Sequence, residues 1–114
     1  MSTRWSGRRV VLRDEHRGAD SRALWAWVDS AGALHIDGQD LGPATAAVSD
    51  DGEYEWFVTI AAAEVPRVVE LLGGAPGDQV LEVLERGWTG RHSYRLEETL
   101  RDSGIRIERA TWSG

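Results

Sequence analysis

Cysteine, lysine and asparagine are absent from this chain. Without cysteine there is no disulfide framework, no thiolate zinc site and no thiol nucleophile. Without lysine, a Schiff-base mechanism and a phosphate-binding Walker lysine are both excluded. No long uncharged apolar run occurs and the first residues lack an apolar core segment, so membrane spanning is disfavoured and a cytoplasmic setting is expected. Serine nucleophile elbows, phosphate loops, dinucleotide fingerprints, internal repeats and low-complexity linkers are also missing. The expectation is therefore no cofactor, no catalytic residue and no metal ligand set.

What is present fits one α+β domain spanning residues 1–114, large enough to bury a core without staples. The formal charge of -6 opposes nucleic-acid binding, which needs a positive footprint, and favours a basic protein partner. Six tryptophans are many for this length. Tryptophan is ordinarily core, but beside acidic and arginine residues it is also typical of binding hot spots.

Patterning gives the order ββββαααβ: a largely antiparallel sheet of about five strands with about three helices on one face. Arg8 to Arg13 reads as a first strand with solvated basic ends, followed by a turn at Arg17-Gly18-Ala19-Asp20. Arg22 to Asp29 and Ala33 to Asp37 read as a strand pair joined by Asp29-Ser30-Ala31-Gly32. Ser49 to Glu53 is a turn signal before a strand whose apolar face is Tyr54, Trp56, Val58 and Ile60. Helical spacing follows in Val65, Val68, Val69 and Leu72, with Pro66 in the first turn and Gly73-Gly74 as the stop. A second helix is expected from a cap at Asp78 to Gly87, and a third from about Ser93 to Ser103. Ile105 to Trp112 closes the chain as a strand.

Candidate functional residues concentrate around Gly38-Gln39-Asp40-Leu41-Gly42. Glycine and proline on either side predict a turn there, with the Gln39 and Asp40 side chains hydrogen-bonded to its backbone. Gln39, Asp40 and Glu55 form one possible polar site. Alternation places Trp25 and Trp27 opposite Leu24, Ala26 and Val28, so a single helix layer cannot cover both groups. Trp25, Trp27, His35 and Asp37 are therefore expected on the uncovered sheet face, as an aromatic and acidic partner-binding patch. His35 and Asp37 share a strand face and would suit a metal or an acid–base pair, but the pattern supplies no third ligand. Asp37, Asp40, Asp50, Asp51, Glu53 and Glu55 make an acidic cluster without EF-hand spacing.

The GQDLG segment, the Tyr54-Glu55-Trp56 strand and the helix opening AEVPRVVELLG together resemble a family of small uncharacterised actinobacterial proteins. The resemblance covers most of the chain from Ala33 onward and implies a shared fold without an activity. The leading expectation is a non-enzymatic protein-binding module, of the kind seen in immunity proteins or regulatory inhibitors, engaging a protein partner or a second copy of itself. The rival expectation is a small-molecule-binding protein or enzyme with its polar site at the GQD segment.

Overall fold

A computed structural model describes residues 8–45 and 52–113. Five antiparallel strands form one sheet in the order of the chain. They are β1 (Arg9–Arg17), β2 (Asp20–Val28), β3 (Leu34–Leu41), β4 (Glu53–Ile60) and β5 (Glu108–Ser113). Between β4 and β5 lie α1 (Val65–Leu71), α2 (Val80–Gly87) and α3 (Leu96–Asp102), with a 3-10 segment, Gly90–Arg95, leading into α3. Among the described residues, no helix is long and apolar enough to cross a membrane.

The expected α+β layout and element order are what the chain adopts. Helices of seven or eight residues would be marginal alone, so their stability comes from packing an apolar stripe on the sheet. Val68, Val69, Leu72, Val83, Leu84, Leu96 and Leu100 meet Val10, Leu12, Leu24, Ala26, Leu34, Ile36, Val58 and Ile60 in one buried cluster. Side-chain ties fix the layers: Trp88 Nε1 donates to the Leu72 carbonyl at 3.0 Å, and Arg109 Nε meets Glu97 Oε2 at 2.7 Å.

Several boundaries differ from the sequence reading, each for a local reason. β1 continues to Arg17 because its partner β2 starts at Asp20, and Gly18 at φ 60 makes the short link between them. Asp78 does not cap α2; its Oδ2 accepts from the Ala75 N–H at 2.8 Å, and Gln79 stands at the cap position. The third helix begins at Leu96, the residues before it being wound as 3-10, and the last strand begins only at Glu108. Of the predicted turn at Ser49 to Glu53, residues 49–51 lie outside the described residues, while Gly52 takes φ 73.

The largest correction concerns GQDLG. It is not a turn: Gly38, Gln39 and Asp40 are strand residues paired with Leu24, Ala23 and Arg22 on one side and with Trp56, Glu55 and Tyr54 on the other. The chain turns at Gly42, where φ is 114 and the N–H donates to the Gly52 carbonyl at 2.9 Å. Gly38 serves packing instead of conformation. A β-carbon there would overlap the Trp56 indole, so the missing side chain is the space in which that ring lies across the sheet.

Gly38→Ala should therefore overpack the inner face. We expect a loss of about 1–3 kcal/mol, measured by urea unfolding, whereas a glycine merely tolerated in a strand would give an unchanged or higher midpoint.

Candidate functional site

Strand register divides the candidate residues between two faces. On the face turned to the helices, one row across the sheet reads Arg13, Leu24, Gly38, Trp56, and the next reads Glu15, Arg22, Asp40, Tyr54. On the opposite face the rows are Arg9, Trp27, His35, Thr59 and then Val11, Trp25, Asp37, Phe57, followed by Asp14, Ala23, Gln39, Glu55. Asp40 is thus separated by the sheet from Gln39 and Glu55. Those two meet each other, Gln39 Nε2 donating to Glu55 Oε1 at 3.1 Å, so the expected backbone-bonded turn and the three-residue polar site do not form.

The outer patch is brought together as expected but is less open than expected. Trp27 is 5% exposed and Asp37 1% exposed, and the indole N–H donates to Asp37 Oδ2 at 3.0 Å. The His35 ring stacks on Trp27 with centroids 4.1 Å apart, and its Nε2 lies 2.7 Å from Asp29 Oδ2. The Asp29 carboxyl is held below the ordinary carboxylate range, chiefly by that contact with His35. The Trp27 N–H, Asp37 Oδ2 and His35 Nε2 are engaged inside the fold, which is why aromatic content and alternation overestimated the exposed area. On this face Trp25 is part-buried beneath the Arg9 guanidinium, 4.9 Å from the ring centre, while Val11 and Trp112 stand about half exposed near opposite edges. His35 and Asp37 therefore serve Asp29 and Trp27. Among the described residues no group of three or more metal-ligating side chains converges.

A concave site lies instead on the helix-side face. The sheet turns polar one row beyond Trp56, and α3 with its 3-10 lead-in roofs the transition. Between them is a cavity of about 380 Å³, within the range of small-molecule sites. Leu24, Ile36, Trp56, Val58, Leu96 and Leu100 make its apolar surface, Arg13, Asp40, Tyr54, Ser93 and Tyr94 supply polar groups from one side, and Glu97, Glu98, Arg101 and Arg109 supply charged ones from the other. Tyr54 packs on Trp56 with ring centres 5.8 Å apart. Tyr94 is also a wall of a second, polar hollow of about 550 Å³ lined by Glu15, Arg17, Asp20 and Arg22.

Arg13 reaches this site through an irregularity in β1. Val11 pairs with Trp25 but Arg13 pairs with Leu24, so Leu12 is an extra residue, and Leu12 and Arg13 both turn inward. The basic ends of β1 were expected in solvent; Arg13 is 6% exposed. Its Nε donates to Ser93 Oγ at 2.9 Å, and Tyr94 stacks over the guanidinium with 3.5 Å from Cζ to the ring centre. Burial lowers the Arg13 pKa, against the pull of Tyr94, Asp40 and Glu15. The Tyr94 hydroxyl donates to Glu15, and burial together with that bond raises its pKa.

Asp40 completes the arrangement. Its Oδ1 is buried and has no hydrogen-bond partner among the described residues. Burial pushes its carboxyl above the ordinary range, although Arg22 and Arg13 pull the other way. Sequence reading singled out Asp40 but missed Arg13, Ser93, Tyr94 and Tyr54. One signal was available: the apolar run Val10-Val11-Leu12 breaks strand alternation, which is how a bulge shows in sequence.

No family model matches the chain, and no match was found among curated proteins or among solved structures.

The raised Asp40 carboxyl fixes a sign. The folded chain holds this proton to higher pH than the unfolded chain, so the stability linked to the group is present below the ordinary carboxylate range and is lost as pH rises through the raised value. Asp40→Asn should accordingly match or exceed wild type in urea unfolding at pH 7 and lose that advantage in acid. A marked loss at pH 7 would mean that the ionised carboxylate holds the fold together.

Proposed function

We propose that the protein is a small-molecule-binding domain whose site is the cavity between Trp56 and α3. The observation that carries this reading is an apolar floor beside two polar groups: Arg13, 6% exposed with its Nε on Ser93, and Asp40, whose buried Oδ1 has no hydrogen-bond partner among the described residues. A buried polar atom without a partner is costly, and a fold that retains one beside a cavity and a largely buried guanidinium is arranged for something else to complete it. Trp56 and Tyr54 supply broad apolar contact, Tyr94 and Ser93 hold the guanidinium in place, and α3 excludes water from one side. These are binding features, and among the described residues no activated nucleophile or base–orienter pair stands beside them, so binding is the reading they support.

A fragment library of neutral, cationic and anionic single-ring compounds, screened by ¹H–¹⁵N NMR, tests this. We expect hits to shift the Trp56 indole and the amides of Ser93 to Leu100 while leaving the Trp27 indole in place. An absence of hits at those positions would contradict the reading. The same result would leave standing a protein-contact function of the outer face, where Trp112 and Val11, about half exposed, with the part-buried Trp25 are what a protein partner or a second copy would meet.

A further inference from the structure

We infer that the ligand of this cavity carries a singly charged anionic head, a carboxylate, on a small apolar body, and that Arg13 receives the head. This rests on the cavity being a ligand site and names the chemistry that site selects.

The inference starts from the arginines. Arg101 and Arg109 line the cavity too, but both are drawn to Glu97, at 3.9 and 2.7 Å. Arg22 is hydrogen-bonded to Tyr94 and faces solvent. Arg13 is different: it is buried, its Nε is spent on Ser93, and its two Nη groups have neither a hydrogen-bond acceptor nor an ion-pair partner among the described residues. The Tyr94 ring covers the face of the guanidinium and leaves its edge, and a guanidinium edge is where donors lie. Two parallel N–H donors in a fixed plane match the two oxygens of a carboxylate, a geometry that neither a neutral hydroxyl nor an amine can complete.

Asp40 narrows the head further. It sits one row from Arg13 on the same sheet face and opposes the accumulation of negative charge. A dianion such as a phosphate monoester would meet that carboxyl; a carboxylate brings one charge, which Arg13 offsets. The body is limited by the cavity, which at about 380 Å³ is at the small end of ligand sites and admits a single ring against Trp56.

Three probes that share one ring and differ in the head decide this: phenylacetate, 2-phenylethanol and 2-phenylethylamine, titrated into the intact protein at pH 7 and followed by the Trp56 indole resonance. Phenylacetate should bind at least about tenfold tighter than either of the others, and Arg13→Gln should remove the preference. Arg13→Lys, which keeps the charge but not the fork, should fall between. Should the alcohol or the amine bind as well as phenylacetate at the same resonances, the anionic head is wrong and the cavity reading survives. Phenylacetate binding that is unchanged by Arg13→Lys and Arg13→Gln would remove Arg13 from recognition. If Arg13→Gln does not fold, the ranking of the three heads on wild-type protein still decides the charge, and Arg13→Lys the role of the fork.

Discussion

One extra residue in the first strand sets the character of the inner sheet face. Without the irregularity at Leu12, alternation would send Arg13 to the outer face beside Val11 and Trp25, where its charge would be solvated. With it, the guanidinium enters the layer between sheet and helices, in the row that also holds Leu24, Gly38 and Trp56. Gly38 then matters for a second reason: it lets the Trp56 ring lie flat as the floor of the space that Arg13 borders. Ser93 and Tyr94, brought over by the 3-10 segment, fix the guanidinium plane. The site is assembled from β1, β3, β4 and the lead-in to α3, and no single segment of sequence contains it.

Seen energetically, the inner face is apolar for most of its length and polarised at one end. The apolar part stabilises the fold in the ordinary way, by removing side chains such as Leu12, Leu34, Val68 and Leu84 from water. Its polar end works against that. Arg13 is largely buried with Asp40 and Glu15 acting on it only through the electrostatic field, and Asp40 Oδ1 has no donor among the described residues. Both groups have pKa values displaced toward the neutral form by burial, the direction expected of charges that the protein solvates poorly. Marginal stability makes such an arrangement informative, because a chain with little to spare rarely keeps an unpartnered carboxyl oxygen beside a buried guanidinium without a use for the pair.

The sequence made the architecture legible because it is written in local signals. Gly32, at φ 87, closes the hairpin between β2 and β3, Pro66 lies in the first turn of α1, and Val65, Val68, Val69 and Leu72 carry the helical period. The site was harder to read, since it depends on which face each residue joins. Gly38-Gln39-Asp40 has turn composition, yet pairing with strands on both sides outweighs it, and alternation then parts Asp40 from Gln39 and Glu55. Trp25 and Trp27 were placed correctly on the outer face. The burial of Trp27 was not foreseeable, because it comes from contacts with His35 and Asp37 across a strand boundary. Tyr94 gives no sequence signal at all; it becomes significant only when the 3-10 segment lays it over Arg13.

The central claim is that Arg13 is held in the fold for a ligand and not for stability. Equilibrium urea unfolding of Arg13→Met without added ligand tests it most directly, since methionine fills the space and removes the charge. We predict an unchanged m-value and a stability equal to wild type or higher by up to about 1–4 kcal/mol, as when a poorly compensated buried charge is replaced by an apolar group. A loss of about 3–5 kcal/mol, the size expected when a satisfied buried charge network is broken, would contradict the account and make Arg13 a structural residue.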